Sequence, residues 1–379
     1  MSEQTQIREQ RALWVVPVGE LGGVARHVLD ATRVGIPGWH VTVLCPEGAL
    51  AERLRAQGSA VLTGPFGPAA GTITSMRTLA RAARQLRPAI VHSHLAYADI
   101  VTAWTKLPRG TRRFTTEHGI AGEDSVYHRS NLQARVMASV HRLRFSRFDG
   151  VIAVAHATRD TMVRKWRVAQ PITVIHNGVD LPAGAASEGP GAVPAQPDLV
   201  APRYLSLSRL SAEKRIDVLL EAFVAVHKKL PEATLVIAGE GPLLSELEAR
   251  ANKLGAASRI TFAGYVDAEA AMANADVIVQ LSVWENHSYT LLDAVSRGMR
   301  VVASNVGGNP EIVAAGSLVS EVDPATVARA MLARAEFSDQ TAQQAQLAAQ
   351  AGPGVQLYST PEMCVRIAAT YGVSERYNA

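Results

Sequence analysis

The sequence predicts an α/β protein made of two Rossmann-like, doubly wound domains that face each other across a cleft. Three observations predict it. Short β-branched runs alternate with stretches of helical spacing; this alternation occurs twice, on either side of a Pro, Ala and Gly-rich stretch; and the chain has 379 residues. Single cores stop growing near roughly 250 to 300 residues, so a chain of this length divides.

In the first domain, residues 1–181, strands are expected at Ala12–Val18, Val41–Cys45, Ala89–His94, Arg113–Thr116, Val151–Val154 and Ile172–Ile175. Strands that are apolar on both faces and separated by helices form a parallel sheet covered on both sides. From Leu181 to Arg203 the chain reads LPAGAASEGPGAVPAQPDLVAPR, which has no period, and residues 182–203 are assigned as a linker. The pattern restarts in residues 204–357, with strands at Tyr204–Ser208, Thr234–Ala238, Ile260–Ala263, Val277–Leu281 and Arg300–Ala303. No fixed repeat joins the halves, so they share an architecture and are not a solenoid. Helical spacing through Met363, Ile367 and Tyr371 marks residues 358–379 as a terminal helix.

Composition excludes several classes. Hydrophobic residues make up 47% and charged residues 19%, and no apolar run approaches the ~18 to 20 residues of a membrane span. The start, Met1 to Arg11, lacks the cationic end and apolar core of a secretory signal, so a cytoplasmic protein is expected. Cys45 and Cys364 lie far apart in apolar stretches and read as buried thiols. The net charge of +4 hides an asymmetry: residues 1–180 carry 23 Lys and Arg against 13 Asp and Glu, and the remainder carries 15 against 21. The basic half is expected to face an anionic partner.

Candidate chemistry concentrates in the second domain. Ser282 to Gly298 reads SVWENHSYTLLDAVSRG, a strand end, the acidic Glu285, a polar loop and a helix from about Ser288. A helix N-terminus at the carboxyl end of a parallel strand offers unpaired N–H groups and partial positive charge, which suit a phosphate. Ser288, Tyr289 and Thr290 are the candidate donors, and Glu285 and Asp293 can line one ligand. The plainer alternative makes Glu285 solvent-facing and Asp293 a surface helix residue. Directly after the first strand of this domain, Arg209 and Lys214 flank a loop where they can neutralise a diphosphate, Arg as a fork and Lys as a point charge. The alternative for Lys214 is an exposed pair with Asp217. In the first domain, Gly22 and Gly23 follow strand one, where backbone can approach a phosphate or sugar or simply turn. His92 and His94 share one strand face with no third ligand at metal spacing, and so read as structural or acceptor-facing.

Taken together, Gly22-Gly23-Val24, Thr116-Glu117-His118-Gly119, His176 to Asp180, Arg209 to Lys214, Ala238 to Pro242, Phe262-Ala263-Gly264, the Glu285 segment and Gly307 to Glu311 resemble the retaining family 4 glycosyltransferases of group 1, whose fold is called GT-B. The resemblance covers nearly the whole chain. It implies an acceptor-binding first domain, a donor-binding second domain and a final helix that crosses back to the first. It also implies that Arg209 and Lys214 bind the donor diphosphate, that Glu285 contacts the transferred sugar, and that His118 helps to orient the reacting groups. Gly23, Gly241, Gly264, Ser288, Tyr289, Thr290 and Asp293 then belong to the donor site. The co-substrate is a nucleoside-diphosphate sugar, UDP ahead of GDP, with no cofactor and no metal. One departure is present: the usual E-x7-E of the family is E-x7-D here, with Asp293 in the ribose position.

The acceptor implied is a glycan, glycolipid or small molecule. Between Tyr127 and Phe148, Arg129, Arg135, Arg142, Arg144 and Arg147 are interspersed with apolar residues, so peripheral contact with anionic lipid at the inner face of the membrane stands beside a core-packed helix as a reading. Aromatic residues do not interleave with the basic ones, which argues against nucleic acid. A dehydrogenase would need G-x-G-x-x-G after a strand, and neither Gly19 to Gly23 nor Gly239 to Pro242 supplies it. A nucleotide-sugar epimerase of the same fold and a non-catalytic partner that binds nucleotide sugar remain as alternatives.

Overall fold

A computed structural model describes residues 10–120, 139–180, 201–335 and 357–372 of the chain. Most of the assigned linker and the first part of the basic segment, up to residue 138, lie outside the described residues. The chain divides into two compact units, residues 1–178 with 358–379, and residues 179–357.

The first unit is built on seven strands: β1 (Gln10–Val15), β2 (Trp39–Cys45), β3 (Ala60–Thr63), β4 (Ile90–His94), β5 (Arg112–Glu117), β6 (Gly150–Ala153) and β7 (Ile172–Val174). Their order is β3-β2-β1-β4-β5-β6-β7, all parallel. The unpredicted member is β3. It is a four-residue edge strand, largely half-buried, so it lacks the fully apolar run by which its neighbours are recognised. Every residue of β4 is buried, which places His92 and His94 inside the unit rather than on an outer face.

The chain leaves this unit at β8 (Gly178–Val179) and enters a six-stranded parallel sheet. Its strands are β9 (Arg203–Leu207), β10 (Thr234–Ala238), β11 (Ile260–Gly264), β12 (Val277–Gln280), β13 (Arg300–Ser304) and β14 (Leu318–Val319), in the order β11-β10-β9-β12-β13-β14. The two-residue β14 is too short to carry a periodic signal. Both units are therefore Rossmann-like, doubly wound α/β structures. Their sheets reverse strand order between β1 and β4 and between β9 and β12, and ligands of open parallel sheets bind beyond the carboxyl ends of the strands at such reversals.

Helices cover the sheets through apolar stripes. In the second unit Leu219, Leu220, Phe223 and Val226 of the Ile216–Lys229 helix join Val327 and Met331 of the Pro324–Ala335 helix in one core with Leu235, Val277 and Val302. After β15 (Tyr358–Ser359) the Thr360–Thr370 helix belongs to the first unit: Met363, Cys364, Ile367 and Tyr371 share a core with Trp14, Val28 and Ala31. A capping box opens it, with Ser359 accepting from the Glu362 N–H and the Glu362 carboxylate accepting from the Ser359 N–H. Cys45 and Cys364 are buried free thiols, pushed up to about 11 and about 12 by burial, so neither is a ready thiolate. Among the described residues no helix is long and apolar enough to cross a membrane.

Candidate active site

At the strand reversal of the second unit, the loop after β9 meets the loop after β12. Lys214 ends a short 3-10 turn, Ala212–Lys214, and its ammonium donates to Glu285 Oε1 at 2.5 Å and to Ser282 Oγ at 3.3 Å. The Ser282 hydroxyl donates to the same carboxylate oxygen at 2.7 Å. The Lys214 and Glu285 side chains are only 19% and 14% exposed, so the sequence alternatives of a Lys214–Asp217 pair and a solvent-facing Glu285 are both replaced. Arg209 stands 69% exposed and donates to Glu213 Oε1 at 2.7 Å. Burial opposes ionisation of Glu213, but hydrogen bonds from Ser211 and Arg209 outweigh it and hold the carboxyl at about 2. The two loops are also joined by backbone, Val283 N–H to Glu213 carbonyl at 2.8 Å.

Close backbone approaches explain the glycines around these loops. A Cβ on Gly239 would lie 2.0 Å from the Ser208 carbonyl oxygen, and one on Gly241 2.3 Å from that of Leu210. The 208–210 segment is thus pressed onto the glycine turn after β10, and Leu210 N–H donates to the Glu240 carbonyl at 2.9 Å. Gly307 has φ +52°, and a Cβ there would meet the Glu285 carbonyl oxygen at 1.7 Å. Gly308 N–H donates to that oxygen. Gly264 closes β11 at φ +64°, and its carbonyl accepts from Gly239 N–H at 2.7 Å.

The helix expected from about Ser288 runs Tyr289–Ser296. Ser288 caps it, its hydroxyl accepting from Leu291 N–H and from Gln280 Nε2, the latter at 2.9 Å. The hydroxyl is thus engaged by the protein, and the first-turn N–H groups of Tyr289 and Thr290 are those no helical carbonyl reaches. Asp293 lies one turn inside, 6% exposed, with Arg297 Nη1 3.6 Å from its carboxylate. It is not a surface residue. His287 is buried as well, at 6%.

In the first unit Gly22 is the N-cap residue and Gly23 the first residue of the Gly23–Val34 helix, directly after the loop from β1. His118 follows β5 and is partly exposed. The fold brings to it two histidines that chain spacing could not connect. His94 Nδ1 lies 2.9 Å from His118 Nε2, and the His27 ring, from the first helix, packs against His118 at 4.6 Å between centroids. Beneath them Trp14 donates to the Tyr371 hydroxyl at 3.0 Å, and His92 bonds Tyr371 and Thr116. Burial pushes His27 down to about 4, His92 to about 3, and His94 and His118 well below the usual histidine value.

A second buried group escaped sequence reasoning. Arg144 is fully buried, its Nη2 2.6 Å from Glu117 Oε2 and 3.4 Å from Asp99 Oδ2. This corrects the expectation that Arg144 lies on a basic face toward lipid or solvent. Burial pushes Glu117 up to about 7 and raises Asp99, against the opposing pull of Arg144. One guanidinium faces two carboxyls, so this buried trio favours one shared proton. Asp99 also accepts from Ser93 Oγ at 2.6 Å and Thr115 Oγ1 at 2.7 Å, which ties the carboxyl ends of β4 and β5 together.

Comparison with known proteins adds to this geometry. A family model described as Glycosyltransferase Family 4 matches residues 21–182, and one described as Glycosyl transferases group 1 matches residues 201–336. The glycogen synthase of Mycobacterium tuberculosis is 28% identical over 350 residues, covering 83% of this chain and 82% of that protein. A phosphatidylinositol N-acetylglucosaminyltransferase component of Arabidopsis thaliana is 25% identical over 278 residues, covering 72% of this chain and 59% of the plant protein. Among solved structures, Anabaena HepE, determined in complex with UDP and glucose, superposes with a TM-score of 0.72 at 19% identity, covering 96% of this chain and 100% of that one.

Proposed function

This chain is a glycosyltransferase, a family 4 domain followed by a group 1 domain of the GT-B fold, and on that premise we propose that it transfers a sugar from a UDP-sugar to a hydroxyl of a glycan, glycolipid or small-molecule acceptor, with retention of configuration and without a metal ion. The observation that carries the proposal is the Lys214, Ser282 and Glu285 cluster with Arg209 beside it, at the strand reversal of the second sheet. An ammonium has three donors, so Lys214 can keep Glu285 and still hold a phosphate oxygen. Charged hydrogen bonds contribute about 1.5 to 3 kcal/mol each. Two of them with a helix N-terminus supply much of the about 8 kcal/mol of a micromolar complex. That HepE was determined with UDP supports UDP ahead of GDP.

In the proposed reaction the bond from the sugar C1 to the phosphate oxygen breaks, and the acceptor oxygen bonds C1 on the same face. The acceptor proton passes to the leaving phosphate, so no protein nucleophile is required. Arg209, Lys214 and the Tyr289 and Thr290 N–H groups stabilise the leaving diphosphate. Glu285 holds the transferred sugar, His118 orients it, and Asp293 accepts from the ribose hydroxyls, with a bridging water making up its shorter reach. Gly23, Gly241 and Gly264 let backbone approach the donor.

The test is thermal stabilisation by UDP, GDP, ADP, dTDP and NAD in EDTA, for the wild type and Arg209→Ala. Linkage gives about 2.7 kcal/mol at a hundredfold excess over Kd. A shift with UDP that Arg209→Ala loses is the expected result. A shift with NAD alone, or one that needs a divalent ion, would overturn the assignment. Donor turnover without acceptor would identify an epimerase, and donor binding without transfer to any acceptor a non-catalytic partner.

A further inference from the structure

Three imidazoles converge in the first unit from three separate elements, and one nitrogen of each of His27, His94 and His118 lies within 4.8 Å of the others. Their protonation is legible from their partners. His27 Nδ1 lies 3.2 Å from Asn177 Oδ1. An amide oxygen only accepts, so Nδ1 carries the proton and His27 Nε2 is left as a bare lone pair. That Nε2 is buried and meets no hydrogen-bond partner, and the same is true of His94 Nε2.

We infer that His27, His94 and His118 form a binding site for a late first-row divalent cation, zinc foremost, with three imidazole ligands and an open position on the side of His118, the one ring of the three that is partly exposed. Neutral imidazole suits zinc, cobalt, nickel and copper, whereas magnesium and calcium take oxygen. Metal-bound histidines commonly donate their other N–H to a carbonyl oxygen, which is what His27 does toward Asn177. Tetrahedral zinc with bonds of about 2.0 to 2.1 Å sets ligand nitrogens roughly 3.3 Å apart. The rings must therefore draw inward on binding. Binding exchanges the His94–His118 hydrogen bond for coordination.

The cation has no part in the transfer step. It is an inhibitor, because it removes His118 from the substrate; this consequence rests on the proposed role of His118, while binding itself does not. The full chain, stripped of metal, is titrated with cobalt(II), whose visible ligand-field band reports tetrahedral coordination, and then with zinc. One equivalent of cobalt with that band, displaced by zinc, is expected. His118→Ala and His27→Phe should each weaken binding by more than about 100-fold, beyond the ~10 to 100-fold effect of an outer partner. No band, or an affinity unchanged in both variants, overturns the site. If His27→Phe fails to fold, as judged by circular dichroism, His118→Ala decides alone. Zinc should also inhibit sugar transfer, reversibly by EDTA; a trio-dependent band without inhibition upholds the site and overturns the role given to His118.

Discussion

Two side-chain groups set the physics at the residue scale. Glu285 shares a carboxylate oxygen with Lys214 and Ser282, and so is held in one orientation before any ligand arrives. Glu285→Gln keeps the shape and removes the charge; we expect sugar transfer to fall by about 10²- to 10³-fold, the scale for one preorganised electrostatic contact, with an unchanged circular dichroism spectrum. Near-wild-type kcat in that variant would remove Glu285 from the site. Arg144 is the opposite case, a fully buried cation between Asp99 and Glu117. Arg144→Met leaves two buried carboxyls without a counter-charge, and breaking such a group costs about 3 to 5 kcal/mol. Urea unfolding should show that loss, whereas a cost below about 0.5 kcal/mol would return Arg144 to the surface. Nothing in the spacing of Arg129, Arg135, Arg142, Arg144 and Arg147 distinguished the buried one, because its partners lie 27 and 45 residues earlier in the chain.

Loops that look like ligand turns in the sequence are, at the scale of elements, also seats for neighbouring backbone. Gly241 was assigned to the donor site, and its missing side chain makes room for Leu210. Gly307, at positive φ and against the Glu285 carbonyl, cannot accept a Cβ without moving the loop that carries Glu285. Gly307→Ala should therefore destabilise by at least about 2 kcal/mol, combining backbone strain with overpacking, and reduce transfer as well. Unfolding and kcat measured together check this, and an unchanged midpoint would contradict the contact. The terminal helix is a different kind of element. Met363, Cys364, Ile367 and Tyr371 are at most 1% exposed within the first unit, and each large apolar side chain contributes about 1.5 to 3 kcal/mol on burial. Ending the chain at Leu357 removes an amount comparable with a whole domain's about 5 to 15 kcal/mol, so the truncated protein should be insoluble or lose cooperative unfolding of the first unit. A soluble product with wild-type unfolding would show that the helix is dispensable.

Across the whole molecule, each unit has its own sheet, its own cores and its own reversal of strand order, and the charge follows that division, with a basic first half and an acidic second. EDTA is expected to leave the initial rate of transfer unchanged, since in the proposed function Arg209 and Lys214 take over the role of a divalent ion; loss of rate in EDTA, restored by magnesium or manganese, would overturn this. The sequence by itself determined the α/β class, eleven of the thirteen strands of the two main sheets and the loop-to-helix switch at Ser288, because buried parallel strands and capped helices write their pattern within a few neighbouring residues. It also made Arg209, Lys214 and Glu285 candidates, since each lies in the segment that follows the carboxyl end of a strand. It missed β3 and β14, whose shortness leaves no period, and the partners of the site residues. Only the tertiary structure decided that Lys214 meets Glu285, that Arg144 is buried, and that His27 and His94 close on His118. Those contacts join positions 24 to 91 residues apart, and sheet order, which no local pattern records, brings them together.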